Sequence, residues 1–365
     1  MSETSRSAEM KEVDEEQLRA FSGRVFAMLN GAVMSAFIHL GDELGLFRAL
    51  ADGEPTTSEA LAARTKLSER WVREWLQGLG AAGILEYAGD GRFRLSAEGG
   101  CVLADDDHPA CGIGLFTKLP RQIGALDRIA ESFRTGVGLP YDAFGSEGAR
   151  GTERGLAPWY KHNLVSVALP MLDGVVTKLE RGAKVADLGC GAGAALIEMA
   201  KAFPASDFHG YELSLHALER AEANKDEAGL ENLVFHDVGS DPLPNDGSFD
   251  FITTFDCLHD MTRPDLAIAA IHHALRPDGN WLIADINGAP TYEENLEQNP
   301  MSSLMYGFSV LSCMSSALSE PDGLGLGTLG FHEEVARKMC SEAGFTRFRR
   351  VEIPHAMNAY YEVRP

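Results

Sequence analysis

The chain is short of positive charge. Lys and Arg number 32 against 54 Asp and Glu, a net charge of −22 over 365 residues. A field of that sign repels phosphate backbones and anionic lipid surfaces, so nucleic acid and membranes are poor partners and a cationic ligand is favoured. Cysteine is sparse: six residues, at 101, 111, 190, 257, 313 and 340, with no CxxC pair or Cys/His cluster. That spacing argues against a disulfide framework and against a metal site, and it fits a reducing, cytoplasmic setting. Long apolar runs are missing as well. The longest patch, AVMSAFIHL (32–40), is too short to span a bilayer and runs into Gly41-Asp42-Glu43. The stretch MSETSRSAEMKEVDEEQ has no apolar core of a signal peptide, so residues 1–17 are expected to be a frayed tail. Internal repeats and low-complexity tracts are also absent.

What is present supports a sizeable core and more than one domain: 45% of residues are hydrophobic. Over 18–104 the pattern is mostly helical. Leu18, Phe21, Val25, Phe26, Leu29 and Val33 recur at helical spacing, ELGLFRAL (43–50) gives a second helix, and Thr56 with Glu59 suggests a capping box. SERWVREWLQGLGAAG (68–83) is amphipathic, with Ser68 as N-cap, and ILEYAGDGRFRLS (84–96) reads as a hairpin around Gly-Asp-Gly. Helix, helix, hairpin is the plan of a winged helix-turn-helix. Residues 105–182 read as a connecting region, helical over 115–135 and 159–180, broken at Pro170, with a glycine-rich loop over 138–155. From 183 to 365, AKVADLG, DFHGYE, NLVFHD, FDFITTF and GNWLIADI alternate with helical stretches at 193–203, 214–229 and 263–275. That alternation predicts βαβ units and a parallel sheet with helices on both faces. An insertion (287–330), a last helix (331–343) and a closing antiparallel pair complete the chain.

The strongest motif is VADLGCGAG (185–193). A strand ends in Asp187 and opens into Gly189, Gly191 and Gly193, and a helix follows. Glycines at such a turn let a ligand approach the backbone and the free N–H groups of a helix N-terminus. The next strand ends in Glu212, where an acid can accept both hydroxyls of a ribose. The spacing is G-x-G-x-G and not the G-x-G-x-x-G of dinucleotide folds, and Asp187 suits a cationic amino-acid tail better than a pyrophosphate. Taken together, D-L-G-C-G-A-G, then Y-E, then H-D-V resemble the class I S-adenosylmethionine-dependent methyltransferases. The resemblance implies an α/β Rossmann-like sheet and S-adenosylmethionine as cofactor, with S-adenosylhomocysteine as its product. It implies that Asp187 and the glycine turn hold the methionine part, and that Glu212, with Leu213 beside it, holds the ribose. Asp237 would bind the adenine amino group, Val238 would lie against the ring, and Phe255 and Asp256 would line the sulfonium side.

An N-terminal, mostly α winged-helix domain on this fold resembles the small-molecule O-methyltransferases of the plant caffeate type and their bacterial relatives. That implies methyl transfer to a hydroxyl of a small molecule. In the family the base is the His of C-H-D-W after the fourth strand, and this chain reads L-H-D-M there, which places the role on His259. The acid ending the fifth strand, Asp285, would orient it. The competing roles are a loop-tying histidine and a strand-end turn aspartate. GLGTLGF (325–331) carries no acid where the family has a second carboxylate, and Phe255 stands where a lysine often follows the strand. N- or C-methylation by positioning alone is the rival chemistry. Asp260 is expected to bond loop backbone, and His272 and His273 to be structural. Met301, Met305, Tyr306 and Phe308 are candidates for the acceptor pocket, with core or dimer packing as the competing role. Tyr141, Phe144 and Trp159 are candidates for covering the cofactor. The rival class is a cofactor-binding winged-helix regulator without turnover; Arg64, Lys66, Arg70, Arg73, Arg92 and Arg94 would serve DNA binding in it, but Glu59, Glu69, Glu74, Glu86 and Asp90 are interspersed with them. The resemblance implies a homodimer instead, through the apolar face of 18–41.

Overall fold

The computed structural model describes residues 13–365, which fall into two compact units, up to Ala104 and Asp105–Pro365. The first unit begins with α1 (Glu15–Glu43), capped by Asp14, whose carboxylate accepts from the amides of Glu16 and Gln17. Glu15–Gln17 are therefore helical and not frayed; residues 1–12 lie outside the described residues. Short α2 (Leu46–Ala49), α3 (Ser58–Thr65) and α4 (Glu69–Ala81) follow, then the hairpin β1 (Glu86–Gly89) and β2 (Arg92–Arg94), then α5 (Ala97–Leu103). The cap of α3 is Thr57 and not Thr56, because the backbone of Thr56 bridges Phe93 of the wing. Ser68 occupies the N-cap position of α4 without a side-chain cap bond. Leu46, Phe47, Leu61, Val72, Trp75, Leu76 and Leu79 make the core, and the Trp75 indole donates to the carbonyl of Phe37.

Two surface features bear on partners. Arg64, Arg70, Arg73 and Arg94 each pair with an acid of this unit (Asp52, Glu74, Glu69 and Glu86). On α1, Leu18, Phe21, Val25, Phe26, Met28, Leu29 and Val33 are exposed. By length and composition α1 could cross a membrane. The patch 32–40 is only part of this apolar stretch: between Val25 and Gly41 only Asn30, Ser35 and His39 are strongly polar.

The second unit is built on a seven-stranded sheet, β3 (Lys184–Leu188), β4 (Asp207–Glu212), β5 (Leu233–Asp237), β6 (Phe249–Phe255), β7 (Leu275–Ile286), β8 (Arg347–Val351) and β9 (Asn358–Arg364), in the order β5-β4-β3-β6-β7-β9-β8. The first five strands are parallel; β9 pairs antiparallel with β7 and with β8. The chain order reverses between β3 and β6, so the carboxyl ends of β3, β4 and β6 open the crevice where ligands of open α/β sheets bind. Side chains alternate between two cores. Val185, Phe251, Leu282 and Ala284 face one layer; Ala186, Ile252, Trp281 and Ile283 face the other. Each fully buried Phe or Ile contributes about 1.5–3 kcal/mol, so burial on both faces fixes the strand register.

Helices α6 (Gly114–Thr117), α7 (Leu119–Gly124), α8 (Leu126–Thr135), α9 (Gly145–Trp159) and α10 (Val175–Arg181) precede the sheet. They belong to its compact unit: Tyr160, Leu164, Leu169, Leu172, Val175 and Leu179 are part of its first core. Most of the glycine-rich stretch expected as a loop is the helix α9. Its propensity is poor, but the glycines permit close packing. A Cβ on Gly114 would lie 2.4 Å from the Arg154 backbone, and one on Gly151 would lie 3.1 Å from the Lys118 amide. From α9 the helical run continues as a π segment (Tyr160–Ala168) and a 3₁₀ turn (Leu169–Met171) at Pro170. Between and after the strands come α11 (Ala194–Ala202), α12 (Leu215–Ala228), α13 (Pro264–Ala274), α14 (Tyr292–Gln298), α15 (Ser302–Phe308), α16 (Met314–Ala317) and α17 (Glu333–Glu342).

Candidate active site

A cavity of about 720 Å³ lies at the carboxyl ends of β3, β4 and β6, within the range of sites that hold drug-sized ligands. Its floor is the glycine turn, with Asp187, Gly189 and Gly191 among its residues. One side carries Glu212, Leu213 and Val238, and another carries Phe255, Asp256, Cys257 and Asp260. Tyr141 and Tyr160 come from the helical layer, and Ser316, Ser319 and Glu320 come from the insertion. The segment before Tyr141 is tied to that insertion: the amide of Leu139 donates to Ser315 Oγ at 2.8 Å, and that of Gly138 to the Leu318 carbonyl.

The glycines have separate reasons. Gly189, at φ 74°, packs under the loop after β6; a Cβ there would lie 2.8 Å from Cys257 Sγ. Gly191, at φ 55°, has open space over it, and its amide donates to Glu212 Oε2 at 2.8 Å. Gly193 does not line the cavity. It precedes α11 with φ 76°, and a Cβ there would lie 2.4 Å from the Phe235 ring, so its role is packing.

Glu212 is buried and accepts three amides, those of Gly191 (2.8 Å), Leu213 (2.9 Å) and Ser214 (2.9 Å). Burial nevertheless raises its pKa. Asp187 accepts one bond, from the Thr253 hydroxyl at 2.8 Å, and burial pushes its pKa up to about 8. Asp256, at φ 50°, accepts from Asn358 Nδ2 at 2.7 Å, and burial brings it to about 7. Asp260 reaches about 7 for the same reason. It lines the cavity and does not bond the loop backbone as expected. In all, seven carboxylates line the space (Asp142, Glu153, Asp187, Glu212, Asp256, Asp260 and Glu320) against a single basic side chain, Arg263. That cation is already held by Asp265 and Asp322. Glu153 is likewise committed, to Arg220, and burial keeps Asp187, Asp256 and Asp260 partly protonated near neutral pH, so the wall favours a positively charged ligand that can draw these groups into their ionised form.

His259 and Asp285 meet. His259 Nδ1 lies 2.6 Å from Asp285 Oδ1, which also accepts the Ile286 amide at 2.7 Å, and both side chains are buried. Burial opposes charging of the imidazole, but Asp285 and then Cys313 outweigh it and hold the histidine above its ordinary pKa. With Nδ1 committed, Nε2 is the nitrogen that exchanges a proton; the raised pKa means that it carries one at neutral pH and must lose it before it can act as a base. His259 itself is set behind the cavity wall; Asp256, Cys257, Asp260 and Met261 of its loop form that wall.

Other expected residues fall elsewhere. Both carboxylate oxygens of Asp237 bond its own turn, with the Gly239 amide and Ser240 Oγ each at 2.9 Å, and Asp237 does not line the cavity. None of Met301, Met305, Tyr306 and Phe308 lines it either. Met305 is buried, Tyr306 packs on Tyr292 and Phe308 lies under Lys118. Phe144 belongs to a small core and Trp159 stacks on Tyr360, which leaves Tyr141 as the cover residue among the three. His272 packs edge-on against Phe345, in keeping with a structural role. Sequence reasoning missed Tyr160, Arg263 and Glu320. For Glu320 the polar stretch SSALSEPDG (315–323), directly after the apolar run MSSLMYGFSVLSCM, was the available signal; Tyr160 and Arg263 had none.

This architecture is a Rossmann-like sheet domain that follows a winged helix-turn-helix. Residues 179–324 match the methyltransferase domain family and residues 32–104 the Rv2258c-like winged HTH domain, so the chain carries both. A demethylspheroidene O-methyltransferase of Cereibacter sphaeroides is 28% identical over 271 residues, covering 72% of this chain and 69% of the relative. A ubiquinone biosynthesis O-methyltransferase of Cupriavidus pinatubonensis is 28% identical over 128 residues, 34% of this chain and 49% of that protein. The chain thus spans about half the length of the latter relative. The structure of human N-acetylserotonin methyltransferase in complex with SAM is similar in fold, with a TM-score of 0.68 at 19% identity over 97% of this chain and 98% of that one.

Proposed function

We propose that the protein transfers a methyl group from S-adenosylmethionine to a hydroxyl of a small organic molecule. The observation that carries this reading is Asp187, a buried carboxyl at a glycine turn, in a cavity lined by seven carboxylates and one committed arginine. Asp187 and the backbone around Gly189 and Gly191 would hold the amino-acid end, Glu212 the ribose, and Val238 and Leu213 the adenine. Phe255 and Asp256 would lie on the sulfonium side. The cofactor supplies an electrophilic methyl on a positively charged sulfur. The chain's part is alignment, about 7–11 kcal/mol at best, and removal of the acceptor's proton. The His259–Asp285 pair favours a hydroxyl acceptor over N- or C-methylation by proximity, because that pairing orients Nε2 to take a proton once the imidazole, held above its ordinary pKa, has released its own. A panel of hydroxyl- and amine-bearing metabolites with labelled methyl donor tests this. Label entering hydroxyls is expected; label entering only amines or carbon overturns the O-methyl reading.

The exposed apolar face of α1 is read as a homodimer contact, since patches of this kind need cover. Sedimentation should give twice the mass of the 39.5 kDa chain, and a monomer without detergent contradicts it. The paired arginines of the winged-helix unit support a structural role over DNA reading. A cytoplasmic setting is proposed from the free cysteines alone.

A further inference from the structure

We propose that His259, Asp260 and Cys313 form a binding site for a thiophilic divalent transition metal of the zinc class. Cys313 lies far from His259 in sequence, so cysteine spacing could not reveal the cluster. The fold brings them together: one ligand atom from each of the three lies within 4.8 Å of the other two. Ligands of a tetrahedral ion with bonds near 2.0–2.3 Å stand roughly 3.5 Å apart, so a movement of about 1 Å, within reach of rotation at Asp260 and Cys313, would close the site.

Three further observations shape it. Asp285 Oδ1 engages His259 Nδ1 at 2.6 Å, so Nε2 would be the ligating nitrogen, and the ion would displace the proton it carries. A carboxylate behind a ligating histidine is the usual outer-shell partner of zinc sites. Cys313 ends a one-turn π segment, Ser309–Cys313, a distortion frequent at functional sites. Asp260 also lines the large cavity, so a fourth coordination position would face it. A Cys/His/carboxylate set selects zinc, cobalt or copper over magnesium or calcium.

The ion would occupy the nitrogen that proton removal needs, so the metal-bound form and the base form exclude each other. That consequence rests on the methyl-transfer reading; the metal site does not. The test is a cobalt(II) titration of the full chain after treatment with a chelator. One cobalt per chain is expected, with a thiolate-to-metal charge-transfer band in the near ultraviolet and the intense visible bands of a four-coordinate ion, displaced by zinc. Cys313→Ser should lose the thiolate band with circular dichroism unchanged, which separates this thiol from the half-exposed Cys101 and Cys111. Asp260→Asn should weaken the affinity about tenfold or more, a second readout should the serine variant fold poorly. No thiolate band in the wild type, or a band that persists in Cys313→Ser, overturns the proposal. Zinc should also suppress turnover of the chelator-treated enzyme. Cobalt bands with turnover indifferent to metal would keep the metal site and overturn the base role of His259. Suppression of turnover without a cobalt band would overturn the site.

Discussion

His259→Ala is expected to lower turnover by about 10²–10⁴-fold while leaving affinity for S-adenosylhomocysteine near that of the wild type. The imidazole does not line the cofactor cavity, so its loss removes no cofactor contact. Its contribution lies in Nε2, held in one orientation by the 2.6 Å contact between Nδ1 and Asp285. The alanine variant also strands a buried carboxylate whose Oδ2 has no partner among the described residues. Breaking a buried charged pair by removing one member costs about 3–5 kcal/mol, so some loss of stability accompanies the kinetic effect. His259→Asn separates the two, because its amide can still donate to Asp285 and yet cannot take a proton. Single-turnover methyl transfer in both variants is the measurement. A similar loss in each is the expected result. Unchanged turnover in the asparagine variant would assign His259 to holding its loop.

Glu212→Ala is expected to abolish measurable cofactor binding, a loss of about 10²-fold or more, and also to destabilise the second unit. Its carboxylate gathers the amides of Gly191, Leu213 and Ser214, so it shapes the glycine turn and the start of α12 as well as facing the cavity. Hydrogen bonds to a charged group contribute about 1.5–3 kcal/mol each and are not additive; a net loss of about 2–4 kcal/mol is reasonable for the set. Glu212→Gln keeps one acceptor oxygen and should recover part of the stability but little of the affinity, since the turn amides then compete with the ligand for it. Thermal unfolding and calorimetry on the two variants check this. An alanine variant that unfolds like the wild type and binds S-adenosylhomocysteine normally would remove Glu212 from the site.

The parts of this design that the sequence revealed are those written in local patterns. Alternating apolar strands and helical spacing gave the order of β3 to β7, since each strand buries two faces and each helix one. The glycine turn was legible because only glycine adopts φ near 74° beside Cys257 without strain. Yet the same logic assigned Gly193 to the ligand when it makes room for Phe235, a contact between elements distant in sequence. Asp237 bonds Gly239 and Ser240 of its own turn and lies outside the cavity lining; a strand-end aspartate serves a turn or a ligand with equal chemistry, so its local pattern did not distinguish the two. The methionine stripe of 301–308 was visible, but which face of the insertion meets the cavity depends on how Ser315 holds Leu139. Helix α9 was hidden by its own composition, since tertiary packing overrode the weak propensity of Gly145, Gly148 and Gly151.

The central claim is that the acidic cavity receives the cationic S-adenosyl cofactor at Asp187. Burial raises this carboxyl to about 8, above its unfolded value, so below that pH it is largely protonated. A cationic group binding to the ionised form must displace the proton. Affinity should therefore rise with pH, by as much as about tenfold per unit up to roughly pH 8. The measurement is calorimetric titration of S-adenosylmethionine at pH 6, 7 and 8, in pairs of buffers with different ionisation enthalpies. The account predicts binding that tightens across the series, release of nearly one proton at pH 6, and loss of that release in Asp187→Asn. Absence of binding, or binding indifferent to pH with no proton released, would contradict it.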